Sequence, residues 1–256
     1  MILPLLIAIQ AAATPSAADR ARYERCVDLA TEQPDAAEKE AVDWRLAGGG
    51  YLAQQCLGMA YSNRGNYRGA AETFESAARA AELAQERLTG NYWTQAANAW
   101  AAAGDLGRAR SAIDAALASG LLSGSALGEA HLDRARIRVA QGEPESARAD
   151  LDQALKLADR DPLAWLLSAT LARRLREMPM AVQHINKALE LAPDDASVQL
   201  EAGNIWAVTG DEEKAKAAWT AAATLGSGKP AGDAATKALS QFDEGQNSAN
   251  TAVAGQ

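Results

Sequence analysis

The 256-residue sequence predicts an all-α protein assembled from repeated antiparallel helix pairs, and three observations carry that prediction. First, a small residue, a bulky one four positions later and an alanine three beyond that recur five times. The triplets are Ala70, Phe74 and Ala77; Ala109, Ile113 and Ala116; Ala147, Leu151 and Ala154; Ala181, Ile185 and Ala188; and Ala215, Trp219 and Ala222. Their i, i+4, i+7 spacing places each triplet on one face of one helix. Second, the leading alanines lie 39, 38, 34 and 34 residues apart, a period suited to a helix–turn–helix unit. Third, the chain is heavy in alanine, the strongest helix former, while Val, Ile and Thr never alternate over the length of a strand.

Taken in order, the chain opens with an apolar run closed by Ala11, Ala12 and Ala13. An apolar stretch ending in small residues has the form of a secretory signal, so residues 1–16 are expected to direct export and the protein to be periplasmic or secreted. The run carries Pro4 and has no Lys or Arg before it; an apolar N-terminus on a cytoplasmic protein is the alternative. It is too short for a bilayer span, which takes about 20 apolar residues. Residues 17–50 read as a degenerate or capping helix pair. Ala37, Ala41 and Trp44 keep the spacing, Pro34 and Asp35 open a helix, and Gly48-Gly49-Gly50 breaks the chain.

Residues 51–225 hold five repeats, at about 51–84, 90–123, 128–161, 162–195 and 196–225. Gly65, Gly104, Gly142 and Gly210 each stand five residues before a leading alanine, where glycine closes a helix in the left-handed conformation. The fourth repeat has Arg176 at that place, with Pro179 in the following first turn, where proline is tolerated. Residues 226–242 are expected to supply a capping helix through Ala235, Ala238, Leu239 and Phe242. The polar stretch 243–256 lacks apolar periodicity and is expected to be disordered.

These residues resemble the tetratricopeptide repeat, a 34-residue helix–turn–helix unit. Its pattern places Trp early in the first helix, then Leu-Gly and Tyr, and Ala, a bulky residue and Ala in the second helix, often with a closing Pro. The first repeat carries Leu57, Gly58, Tyr61, Ala70, Phe74 and Ala77; the second carries Trp93 and Trp100. The fourth carries Trp165 and Pro193, and the fifth Gly203, Trp206 and Trp219. The third diverges most, with His131 and Arg138 at the Trp and Tyr places. The resemblance covers roughly residues 51–225 and implies a right-handed α-solenoid whose first helices line a concave groove.

The two cysteines, Cys26 and Cys56, can pair or remain as buried thiols. A bridge closing a loop of about 30 residues contributes about 3–4 kcal/mol in the chain-entropy model. The signal-like start favours the bridge. In the register that the resemblance implies, both fall on first helices of neighbouring units, which pack side by side.

Little in the sequence points to catalysis, a cofactor or a metal, and no enzyme activity is expected. The two histidines, His131 and His184, are far apart and lack a partner at ligand spacing. Gly226-Ser227-Gly228-Lys229 fails as a phosphate loop, since Pro230 stands where Ser or Thr would hold magnesium. Asp194 and Asp195 suit a helix N-terminus. Five of the six tryptophans fall at packing positions of the repeat, so they are expected in the core. A net charge of −8 argues against nucleic-acid binding, which needs a basic surface.

The expected partner is therefore a protein or peptide, held by a scaffold or adaptor. A non-catalytic or regulatory subunit of an enzyme complex, or a self-associating array such as a homodimer, is the alternative. Groove positions carried over from the family give Gln55, Met59, Asn63, Asn91, Thr94 and Asn98 in the first two repeats. They give Arg136, Thr170, Arg173, Arg174, Leu200 and Asn204 in the others. Asparagine can hold an extended peptide through its backbone amides. The Lys/Asn/Arg clamp that some relatives use on a chaperone C-terminus is replaced here by Gln55, Met59, Gln95, Glu129 and Asp133, so that role is not expected. Arg134, Arg136, Arg138, Arg173, Arg174 and Arg176 gather positive charge within an acidic protein. They suit a carboxylate ligand, or else solvent and acidic neighbours such as Asp133 and Glu129.

Overall fold

In the computed structural model, which describes residues 15–254, the chain forms thirteen α-helices and no strand among those residues. The apolar run of the signal-like segment, in residues 1–14, lies outside the described residues. The helices divide between two units, Met1–Glu143 and Pro144–Gln256.

The first unit contains α1 (Ala17–Glu32), α2 (Pro34–Leu46), α3 (Gly50–Asn63), α4 (Tyr67–Leu83), α5 (Thr89–Ala102), α6 (Leu106–Ala118) and α7 (Gly124–Ala140). Each helix from α2 to α7 packs on the one before it, and α1 packs on both α2 and α3. The second unit contains α8 (Pro144–Leu157), α9 (Pro162–Arg174), α10 (Met178–Leu191), α11 (Ala196–Thr209), α12 (Glu212–Leu225) and α13 (Pro230–Ala254). Sequential packing again holds it together, with α13 laid on α11 and α12. Both units are stacks of helix pairs, the all-α solenoid architecture that the sequence predicts.

Local chemistry sets the helix ends. Asn66, Asp105 and Asp211 accept from the backbone N–H three residues on, at 3.1, 3.0 and 3.1 Å. Asp195 accepts from both Ser197 and Val198. Each satisfies N–H groups that a first helical turn leaves without partners. At the turns, Gly65, Gly104, Gly142 and Gly210 adopt φ of 75° to 84°. Arg176 takes φ 61° at the equivalent place, a conformation that costs a residue with a Cβ about 1 kcal/mol or more.

The triplet alanines are fully buried, which lets neighbouring helices approach closely. Gly58 and Gly203 are fitted to the aromatic ring opposite. A Cβ at Gly58 would stand 2.6 Å from Phe74, and one at Gly203 2.4 Å from Trp219. Ala97 and Ala169 take that place where the second helix carries Ile113 and Ile185, within the same buried clusters.

The tryptophans are structural. Trp100 is wholly buried, donates from Nε1 to Glu75 at 2.8 Å and carries the Arg108 guanidinium over its ring. Trp93 donates to Glu82, and Trp219 to Asn204. Trp165 and Trp206 are half-buried against the second core. Phe242 of α13 meets Trp219 edge-on with ring centres 5.6 Å apart, and Ala235, Ala238 and Leu239 extend that contact. The helix then runs on to Ala254, into the stretch for which the sequence predicts a disordered tail. That stretch lacks an apolar stripe but contains no proline to stop a helix already begun.

Cys26 on α1 and Cys56 on α3 form a disulfide with Cα atoms 6.0 Å apart, and both residues are buried. The bridge ties the first helix to the first full repeat. Arg64 reinforces the same end by pairing with Asp35 at 2.7 Å and with Glu38. No helix among the described residues is long and apolar enough to cross a membrane.

Candidate functional site

Each unit carries its own candidate surface. In the first unit, α3 and α5 bring Met59, Asn63, Gln95 and Asn98 to one cleft of about 320 Å³, which Tyr67 closes from the start of α4. Tyr67 keeps 41 % of its surface exposed, although it is an aromatic residue at a helix start. Asn98 also borders a second cleft, of about 370 Å³, with Asp133, Arg136 and Ile137 of α7.

The predicted groove residues of this unit divide by what they touch. Gln55 is buried and donates from Nε2 to Gln95 Oε1 at 3.1 Å. Asn63 donates to the Ala30 carbonyl at 2.8 Å, and Thr94 returns its hydroxyl to Gly90. Asn98 donates to Asp133 Oδ2 at 2.7 Å, and Arg136 reaches the other oxygen of that carboxylate at 3.4 Å. Asn91 is exposed on α5. The cleft wall is thus a line of amides, with Asp133 bridging α5 to α7.

In the second unit, α9 and α11 form a cleft of about 520 Å³ lined by Arg173, Arg174, Arg176, Met178 and Val208. Arg173 donates from Nε and Nη2 to both oxygens of Glu201. Asn204 donates to Glu201 at 3.3 Å and accepts from Trp219 at 3.1 Å. Arg173 and Asn204 are therefore engaged within the protein. Thr170 bonds back to the Leu166 carbonyl, and Leu200 is half-buried. Arg174 is exposed at the end of α9.

Tyr67 and Met178 line these clefts although the groove pattern omits them. Both open second helices, α4 and α10, places that a pattern confined to first-helix positions does not cover. Of the two histidines, His184 is buried, with Nδ1 2.9 Å from Ser168 Oγ and its ring edge-on to Trp165. Burial and the nearby Arg148 hold its pKa below the ordinary histidine value. Among the described residues, no three His, Cys, Asp or Glu side chains gather in an arrangement that could hold a metal ion.

Stacked helix pairs that expose amide-rich and basic clefts define a class: helical-repeat scaffolds for protein–protein interaction. Residues 132–196 match the sequence model of the tetratricopeptide repeat, and the fold of the chain is similar to that of tetratricopeptide-repeat proteins. No curated protein matches the chain. Among solved structures it is similar to Pseudomonas aeruginosa pilF, with 14% identity and a TM-score of 0.68 over 84% of this chain and 97% of that one. It is similar to BtubC (BKLC) from P. vanneervenii, with 16% identity and a TM-score of 0.61 over 82% and 91%. YrrB, described as a TPR protein with an unusual peptide-binding site, has 18% identity and a TM-score of 0.55 over 74% and 92%. At these identities the likeness concerns the fold.

Proposed function

We propose that the protein is a non-catalytic adaptor that holds an extended segment of a partner protein against the α3–α5 face of its first unit, in an exported compartment. The observation that carries this reading is the cleft where Asn63, Gln95 and Asn98 stand beside Met59 and the exposed ring of Tyr67. Amide side chains can bond a peptide backbone regardless of its sequence, while Tyr67 and Met59 offer apolar contact to its side chains. YrrB, similar in fold, has a peptide-binding site by its own description. The apolar start of the chain and the Cys26–Cys56 bridge support export, because disulfides persist in oxidising compartments.

The test is a crosslinking capture from the source cells, comparing the wild type with a Tyr67→Ala, Asn98→Ala variant of unchanged helicity. A partner held by the wild type and lost from the variant supports the reading. A partner kept by both moves the interface elsewhere, and capture of the chain by itself alone makes it a self-associating array. Intact mass of the mature protein tests export: loss of about the first 13–18 residues is expected, and retention of Met1 overturns it.

A further inference from the structure

We infer that the α9–α11 cleft of the second unit is a docking site for an acidic partner segment carrying aliphatic side chains. This rests on the adaptor reading but uses a different surface.

Three observations converge on it. The first is unspent positive charge. Arg148 and Arg173 of this unit are each committed to a carboxylate, at 2.5 Å to Glu177 and 2.7 Å to Glu201. Those two acids are thereby used, although Glu177 directly follows Arg176 and Glu201 belongs to the facing helix. Arg174 and Arg176 are exposed and make no ion pair with any described residue. Two free guanidinium groups on the rim of one cleft are matched to carboxylates, which they can grip through paired N–H groups.

The second observation is an apolar floor between those charges. Val208 keeps 62% of its surface exposed in the same cleft, and Met178 is half-buried beside it. A purely ionic ligand would leave both uncovered. Acidic residues alternating with leucine would satisfy the guanidinium groups and cover the floor together.

The third is the backbone of Arg176. Four other repeats place glycine at this turn, with φ near 80°, and Arg176 adopts the same left-handed conformation without glycine's freedom. Gln85 is the other described non-glycine residue with positive φ, at 54°; what sets Arg176 apart is that its strained turn stands at a cleft. The turn aims it at the cleft mouth, which a glycine would leave without its second charge.

The experiment uses the full chain and a fluorescein-labelled octapeptide alternating Glu and Leu, read by anisotropy. A Gln–Leu octapeptide serves as the uncharged control. The Glu–Leu peptide is expected to bind about tenfold or more tighter than the control, and to weaken as salt rises. Arg174→Ala and Arg176→Gly should each weaken it several-fold. Arg176→Gly restores the residue of the other turns, so its unfolding temperature should stay the same or rise, which separates lost binding from lost folding. Equal binding of the two peptides, wild-type affinity in both variants, or no binding of the Glu–Leu peptide overturns the inference. A loss seen only in Asn98→Ala would place the acidic segment on the first unit, overturning this inference and leaving the adaptor reading intact. Failure of the crosslinking capture alongside arginine-dependent peptide binding would do the reverse.

Discussion

Arg173 grips Glu201 through two N–H groups, Nε at 2.7 Å and Nη2 at 3.1 Å, and so joins α9 to α11 across 28 residues of chain. The Glu201 side chain is 9% exposed and that of Arg173 is 25% exposed, so the pair is shielded from most of the solvent. Asn204 and Trp219 extend it into the core through Glu201 Oε2 and the indole N–H. Removing one partner strands the other. Arg173→Ala is expected to destabilise the second unit by about 2 kcal/mol, measured by urea unfolding. An unchanged midpoint would mean that Glu201 regains solvent freely and that the pair contributes only at the surface level.

That relationship also marks where sequence reading stops. The repeat was legible because the i, i+4, i+7 triplets are all buried and because period and turn glycines agree. The places of Arg173 and Asn204 on first helices were equally legible. Their partners were not, since a pattern within one helix does not say which acid the next helix presents. Asn98 repeats the lesson: its place on a first helix suits a peptide-binding amide, yet it donates to Asp133, 35 residues away. Tyr67 shows the converse, being a functional candidate by exposure, a quantity that residue type does not reveal.

The Cys26–Cys56 bridge closes a loop of about 30 residues, and the chain-entropy model gives it about 3–4 kcal/mol. Replacing both with serine is expected to lower the unfolding midpoint of the first unit, and reductant should shift the wild type toward the variant. Mass spectrometry of the untreated protein after alkylation should find no free thiol. Labelling of both cysteines would remove the bridge and, with it, one support for export.

Gly203 faces Trp219 with no room for a methyl group: an added Cβ would lie 2.4 Å from Cδ1 and 2.5 Å from Nε1. Gly203→Ala gains helix propensity but must push the indole away from Asn204 and Phe242. Overpacking should win, with a net loss of about 1–3 kcal/mol. A quenched or shifted tryptophan emission should accompany the loss. A more stable Gly203→Ala would show that the ring can yield at little cost.

Tyr92 is buried on α5, and its hydroxyl makes no hydrogen bond with any described residue. Burial is the main cause that pushes its pKa up, with the neighbouring Tyr23, Tyr51 and Glu86 adding to it. Tyr51, whose ring centre lies 5.9 Å away, instead donates to Glu86 at 2.8 Å. An unsatisfied buried hydroxyl costs about 1–3 kcal/mol, so Tyr92→Phe should stabilise the first unit by about 1 kcal/mol. Tyr51→Phe should do the opposite, because it leaves Glu86 without its donor. Equal effects of the two substitutions in chemical denaturation would reject this assignment.

His184 gives the second unit a pH response whose sign is determined by burial. Its folded-state pKa is lowered, first by burial and then by the Arg148 charge, with Asp152 acting weakly in the opposite sense. Above the ordinary histidine value of 6.5 the ring is neutral in both states and has no effect on the balance. Below that value the unfolded chain binds a proton that the folded chain resists, so stability falls as the pH drops. The decline continues until the folded pKa is reached, and then levels off. Acidic groups titrate in part of the same range, so the informative quantity is the difference between the wild type and His184→Gln. That difference should be constant from pH 8 to about 7 and should move in favour of the variant between about pH 6.5 and 5, as read by urea midpoints. Parallel profiles would mean that His184 is protonated as readily in the fold as outside it, and that the 2.9 Å contact with Ser168 does not hold the neutral ring.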